Sequence, residues 1–145
     1  MAATPRRNRE PTRARDVRDA WRSSMTRDEI RNLVDAWAHA VESCDAEALE
    51  RLTTLPLREG VVARARGVHG AFEGVKVTPV TVVIEGHEVA WRWRLTGRHI
   101  AAIAGIEPSG EAASVEGVNF QRVEGGRVVE HWTTVDLASL ARRRT

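Results

Sequence analysis

The chain has 145 residues, enough for one domain with a single hydrophobic core, and no window is apolar enough to span a membrane. Its net charge of +2 comes from the two ends: residues 1–22 hold seven Arg against three acids, and Arg142–Arg144 add three positive charges. Between these ends acids outnumber bases, which argues against a nucleic-acid-binding domain. The single cysteine allows no internal disulfide, which is typical of a cytoplasmic protein.

The beginning of the chain predicts a leader followed by a helix. Residues 1–24 mix Pro, Arg, Thr and Ser with few apolar residues, which predicts a disordered, Arg-rich leader without the apolar run of a signal peptide. A single domain is expected over residues 25–145, opening with Thr26 and Glu29 in the spacing of a capping box. Apolar residues then recur at helical spacing, and Trp37 among them is expected in the core or in a pocket wall.

Two further helices are predicted before the first strand. Cys44 is expected to be a buried thiol, and Asp45 after it can cap a short second helix. The segment Thr53–Pro56 ends that helix, and a third is expected over Glu59–Phe72, although Gly67 and Gly70 lower its helix propensity. His69 on the third helix has no partner that the sequence identifies and is expected at the surface.

The second half of the chain shows the period-two alternation of strands. Val75–Ile84 is rich in β-branched residues, and Pro79 within it indicates an edge strand or a bulge. The next strand, Val89–Thr96, places Trp91 and Trp93 on one face and arginines on the other. The tryptophan face is expected to form core or a platform for a ligand.

Residues 117–136 predict a β-hairpin with two chemically different faces, built around the turn Glu124–Gly126. Alternation gives one face four polar residues, namely Asn119, Gln121, His131 and Thr133. It gives the other face four apolar residues, namely Val118, Phe120, Val128 and Trp132.

The hairpin also predicts a pairing and a fold class. A three-residue loop would pair Val123 with Arg127, so that Asn119 lies opposite His131. Asp136 is expected to cap a last short helix.

Helices come first and antiparallel strands follow, which predicts an α+β fold: a curved antiparallel sheet forming a cone, with the N-terminal helices packed on its concave face. Wherever side chains do not fill such a cone, a pocket is expected between helices and sheet.

Several motifs of residues 89–140 belong together. They are Thr96-Gly97-Arg98-His99, Gly105-Ile106-Glu107-Pro108-Ser109-Gly110, Arg122, Glu130-His131-Trp132 and Asp136. With these motifs the segment resembles the SnoaL-like polyketide cyclases, whose cone-shaped α+β barrel is shared with ketosteroid isomerase and scytalone dehydratase. The resemblance implies cofactor-free chemistry on a polycyclic, ketone-rich intermediate, typically an intramolecular aldol closure.

The resemblance also implies where the chemistry lies. The family's aldol cyclases use an Asp on the last strand and a His on the preceding strand, and these positions hold Thr133 and Asn119 here. Because neither transfers protons at neutral pH, His131 is predicted as the general base, with Asn119 and Thr133 as donors to the developing enolate. The alternative is that His131 only pairs with Asn119 and does no chemistry.

Five further residues are predicted to contact the substrate, namely Trp37, Trp91, Trp93, His99 and Gln121. Gln121 is expected deep in the pocket or at its rim, and His99 either lines the pocket or holds the adjacent turn. No group of residues has the spacing of a metal site, so neither a metal nor another cofactor is expected.

Three functions stay open. The first is an enzyme that acts on a small polycyclic molecule, by cyclisation or by hydroxylation of a quinone-type ring system. The second is a non-catalytic small-molecule-binding or dimerisation module, and the third is a helper subunit whose Arg-rich leader docks an acidic partner. A cavity containing His131 and Asn119 would favour the enzyme, whereas a space filled by the tryptophans and Phe72 would favour the module. The apolar outer face around Trp132 predicts a homodimer.

Overall fold

The computed structural model describes residues 24–142, so the predicted leader lies outside the described residues except for Ser24. Helices and strands follow in the predicted order. They are α1 (Arg27–Ser43), α2 (Ala46–Leu52), α3 (Leu55–Ala71), β1 (Phe72–Glu85), β2 (Glu88–His99), β3 (Ala112–Glu124), β4 (Arg127–Val135) and α4 (Ala138–Arg142). None of the helices within residues 24–142 has the length and apolarity needed to cross a membrane.

Helix α1 follows its sequence pattern closely. The Thr26 hydroxyl accepts a hydrogen bond from the Glu29 amide at 3.1 Å, which satisfies one of the free donors at the helix start. The apolar stripe faces inward, and Trp37 is 3% exposed. The helix ends where Cys44 takes a left-handed conformation with φ of 52°. Cys44 is only half-buried at this helix end, so the prediction of a buried thiol is wrong.

The second and third helices form a tight corner. Asp45 caps α2 by accepting from the Ala48 amide at 3.1 Å, as predicted. Helix α3 begins at Leu55, four residues before the predicted start, because Pro56 lies in the first turn, where a missing amide N–H breaks no helical bond. His69 is not a free surface residue: its Nε2 lies 2.8 Å from the Val41 carbonyl oxygen and ties α3 to the end of α1.

The four strands form one antiparallel sheet in the order β1-β2-β3-β4. Strand β1 lies at one edge, and its pairing with β2 shifts between Pro79 and Thr81, which confirms the edge strand and bulge predicted for Pro79. The N-terminal helices cover the concave face, with Trp37 of α1 and Trp91 of β2 in the same core cluster. The α+β fold class predicted from the sequence is therefore confirmed.

The register of the β3–β4 hairpin differs from the prediction. The turn has two residues, Gly125 and Gly126, with φ of 56° and 80°, so Glu124 pairs with Arg127. Two successive positive φ values define the turn type that matches strand twist in two-residue hairpins. The predicted three-residue loop is wrong.

A β-bulge then shifts the rest of the hairpin. Arg122 pairs with Glu130 and Val123 pairs with Val128, so Val129 is the extra residue on β4. The bulge reverses which side of the sheet Val128 faces, and this residue is fully buried instead of lying on the outer face. Beyond the bulge, Asn119 lies opposite Thr133 and Gln121 opposite His131. The predicted pairing of Asn119 with His131 is therefore wrong.

Candidate functional site

A cavity of about 580 Å³ lies between the helices and the concave face of the sheet. Its walls are largely apolar and include the aromatic side chains of Trp37, Phe72, Trp91 and Trp93. The volume falls within the range typical of small-molecule sites. The tryptophans and Phe72 therefore line an open space and do not fill it.

Four polar side chains line the same cavity, namely Arg64, Asn119, His131 and Thr133. The three residues predicted to be catalytic are thus brought together, and the roles assigned to them stay predictions. Arg64 was not predicted. The signal for it is its spacing, three residues after Val61 and four before Val68, which places all three on one face of α3.

His131 is held from behind by a chain of hydrogen bonds. The indole Nε1 of Trp91 donates to Gln121 Oε1 at 2.9 Å, and Gln121 Nε2 lies 3.1 Å from His131 Nδ1. The Gln121 side chain is fully buried. It is not part of the cavity wall, so the predicted direct contact between Gln121 and substrate does not match its position behind His131.

Asn119 is held in a similar way by the second tryptophan. Trp93 Nε1 donates to Asn119 Oδ1 at 3.0 Å. The six-membered ring of Trp93 lies directly over Gly117, where an added Cβ would be 2.2 Å from Trp93 Cζ2. Glycine at this point of β3 is therefore what allows Trp93 to reach Asn119.

The surroundings of His131 favour its neutral form. Burial, with a smaller contribution from the positive charge of Arg64, lowers the pKa of His131 from 6.5 to about 4. Its ring also lies 5.1 Å from the Trp37 ring, centroid to centroid. His131 is therefore uncharged at neutral pH. Its side-chain partner is Gln121, so the predicted alternative in which His131 pairs with Asn119 is wrong.

His99 lies apart from the cavity and holds a turn. Its backbone N–H donates to the Glu111 carbonyl at 3.0 Å, and its carbonyl accepts from the Gly110 amide at 2.9 Å. The ring is 2% exposed and stacks on Phe72 at 5.1 Å between centroids. Of the two expectations for His99, the turn matches its position, and the substrate contact does not.

The cavity offers little to a metal ion. Among residues 24–142, no three or more His, Cys, Asp or Glu side chains lie close enough to form a metal site. Within that same part of the chain, the cavity wall also contains no Asp or Glu. Its polar chemistry thus comes from an amide, a hydroxyl, an imidazole and a guanidinium.

An α+β cone with a lined cavity between helices and sheet defines a class of small-molecule enzymes and binding proteins. The chain belongs to the SnoaL-like polyketide cyclase family, whose model matches residues 15–144. No curated protein gave a significant match.

Solved structures agree with this fold. TsrD from Streptomyces laurentii is 26% identical with a TM-score of 0.73, over 81% of this chain and 96% of that chain. AclR from Streptomyces galilaeus, a candidate hydroxylase, is 22% identical with a TM-score of 0.72, over 81% and 85%. IdmH from Streptomyces antibioticus, a candidate polyketide cyclase, is 24% identical with a TM-score of 0.70, over 79% and 96%.

Proposed function

We propose that the protein is a cofactor-free enzyme of aromatic polyketide or related secondary-metabolite biosynthesis that acts on a polycyclic intermediate. The observation that carries this proposal is the cavity itself, which is open, mostly apolar and about 580 Å³ in volume, with all three predicted catalytic residues in its wall. Tryptophan rings in the wall suit the flat face of a fused-ring ligand. The polar side chains near His131 can form hydrogen bonds with the ketone oxygens of that ligand.

Two reactions fit this site. Aldol-type cyclisation needs stabilisation of an enolate oxygen, which Asn119 and Thr133 can supply by donating hydrogen bonds. Hydroxylation or rearrangement of a quinone-type ring system is the second candidate, because the described cavity wall contains no carboxylate to serve as the usual base. Hydroxylation takes one oxygen atom from O₂ and releases the other as water, so the assay supplies O₂ and a reductant that provides the two electrons. Similarity to both a candidate cyclase and a candidate hydroxylase leaves room for either reaction.

The experiment is an assay of the purified full chain with a panel of polycyclic aromatic ketones that carry a free methyl-ketone side chain. Liquid chromatography with mass spectrometry separates the outcomes. A product with the mass of its substrate and a new retention time indicates aldol closure, and a product heavier by one oxygen indicates hydroxylation. Saturable binding without any product across the panel would instead support the non-catalytic module.

The same proposal includes a cytoplasmic homodimer formed through the outer face of the sheet. Three apolar side chains are exposed there: Val118 is 44% exposed, Phe120 45% and Trp132 71%. Exposed apolar surface of this kind on one sheet face is typical of subunit interfaces. Light scattering at micromolar concentration should give twice the monomer mass, and Trp132→Arg should reduce it to the monomer mass. A monomeric wild-type protein would contradict the dimer.

A further inference from the structure

Two neighbouring tryptophans of β2 decide the orientation of two amides on β3. The indole N–H of Trp91 reaches Gln121 Oε1, and that of Trp93 reaches Asn119 Oδ1. An indole nitrogen can only donate a hydrogen bond, so each must meet an amide oxygen and not an amide nitrogen. The hydrogen-bond network therefore fixes both amides, and each must direct its NH₂ group away from its tryptophan.

For Gln121, this orientation determines the tautomer of His131. The Gln121 NH₂ group is a donor only, and it lies 3.1 Å from His131 Nδ1, so Nδ1 must accept. A neutral imidazole whose Nδ1 accepts carries its proton on Nε2. Protonation at Nδ1 would set two donors against each other, since Gln121 cannot turn over without losing Trp91.

For Asn119, the bond from Trp93 leaves the side-chain NH₂ group available to donate a hydrogen bond into the cavity. Its oxygen is taken by Trp93, the residue lines the cavity, and its NH₂ group has no hydrogen-bond partner within residues 24–142. Arg64 lines the cavity as well and adds a positive charge. The Thr133 hydroxyl can donate or accept and so adapts to what is bound.

We propose that Trp91 and Trp93 orient Gln121 and Asn119 so that the cavity presents fixed hydrogen-bond donors, which bind a ligand through an ionised enol or phenol oxygen. The inference rests on the proposed function in that it assigns the substrate class of the same cavity. His131 then acts as a neutral donor through Nε2, in place of the general base predicted from the sequence. Trp91, Trp93 and Gln121 are positioning residues.

The energetics of the cavity favour such an anion. An ionised oxygen loses hydration on entering an apolar cavity, and only several donors or a nearby cation can offset that loss. Hydrogen bonds from neutral donors to an anionic oxygen are about twice as strong as those to a neutral one. Arg64 adds a positive charge, and the described cavity wall contains no carboxylate that would repel the ligand.

Nuclear magnetic resonance tests the orientation without any ligand. The protein is labelled with ¹⁵N-histidine, and the His131 signals are identified by their loss in His131→Asn. At pH 7 we expect a proton on Nε2 and none on Nδ1. In Gln121→Glu the new carboxylate accepts from both sides, so the proton is expected on Nδ1. A wild-type protein with its proton on Nδ1 would overturn the inference, whatever the variant does.

Binding of two matched probes tests the ligand class. The probes are 2-hydroxy-1,4-naphthoquinone, which is ionised at pH 7, and 2-methoxy-1,4-naphthoquinone, which is neutral and of similar shape; binding is followed by calorimetry. We expect the ionised probe to bind at least about tenfold tighter, as one charge-assisted hydrogen bond provides. Asn119→Asp replaces the donor by an acceptor and should abolish this preference.

Arg64→Gln should weaken the ionised probe several-fold, and Arg66→Gln is its matched control. Arg66 lies exposed on the same helix but outside the cavity wall, so its loss should leave both affinities unchanged. Equal binding of the two probes to the wild-type protein would refute the ligand class. A preference for the ionised probe without turnover of any polycyclic ketone would support the inference while refuting the proposed enzyme.

Discussion

The two faces of the same sheet use their polar residues in opposite ways. On the concave face, Trp91 and Trp93 donate to buried amides, and each bond fixes the direction of the next group. On the convex face, Arg94 reaches Glu116 at 2.8 Å with both side chains about half exposed. Exposed ion pairs are screened by water and contribute little stability, whereas buried donors are costly to leave unmet. The hydrogen bonds of the concave face therefore fix side-chain orientations, whereas the exposed ion pair of the convex face does not.

The largest effect is expected where the concave face has least space. Gly117→Ala would place a methyl group 2.2 Å from Trp93 Cζ2 and 2.7 Å from the Thr134 carbonyl oxygen. Overpacking against a backbone atom leaves little room to adjust, so we expect a loss of about 3 kcal/mol in unfolding free energy and weaker ligand binding. Urea denaturation measures the first and calorimetry the second.

Gly60→Ala is the control for that substitution. Gly60 lies in α3 with no atom within 4 Å of its added Cβ, so alanine should stabilise the helix by about 0.5–1 kcal/mol. If the Gly117 and Gly60 variants were equally stable, the close contact between Gly117 and Trp93 would not be a constraint on the fold.

A pH effect of intermediate size is expected from His131. Burial and the positive charge of Arg64 lower its pKa from 6.5 to about 4. Between pH 6.5 and pH 4, His131 is therefore protonated in the unfolded chain and neutral in the folded chain. Stability from this group is complete above pH 6.5 and is lost as the pH falls toward 4. At ~1.4 kcal/mol per pKa unit, reduced because His131 is only partly buried and water screens its charge, the loss is about 2 kcal/mol.

Chemical denaturation at several pH values checks this effect. The decline in unfolding free energy between pH 6.5 and pH 4 should be shallower in His131→Asn than in the wild-type protein, since acidic residues contribute to both. Parallel curves for the two proteins would show that His131 titrates normally in the fold.

The smallest effect is expected on the convex face. Glu116→Gln removes the charge opposite Arg94, and the pair is exposed on both sides. We expect a change of at most about 0.5 kcal/mol in unfolding free energy and unchanged probe affinities. A loss as large as that of Gly117→Ala would remove the contrast between the two faces.

Much of this architecture could be predicted because it depends on local patterns. The Thr26 cap, the inward stripe with Trp37 and the alternation of β2 all follow from spacing and side-chain chemistry. The gathering of Asn119, His131 and Thr133 at one cavity could be predicted for the same reason, since alternation places them on one face.

What could not be predicted depends on contacts between distant parts of the chain. The predicted hairpin has a three-residue loop and no bulge, and the two-residue turn and the bulge at Val129 together change the partner of His131 from Asn119 to Gln121. The sequence does not predict Arg64 because the apolar residues of α3 do not form one narrow stripe, so the inward face of the helix becomes clear only when it packs on the sheet. The start of α3 was misplaced because Pro56 both ends one helix pattern and begins another.

The bulge at Val129 makes the hairpin sensitive to changes in its length. Val128 and His131 both face inward although they are three positions apart, and only the extra residue between them makes this possible. Deleting Val129 would remove the extra residue of the bulge, so the side chains on one side of the deletion would all face the opposite side of the sheet from where they face now. Either the tip of the hairpin would keep its place and His131 would turn to solvent, or the cavity would keep His131 and the tip would lose Val128 from the core.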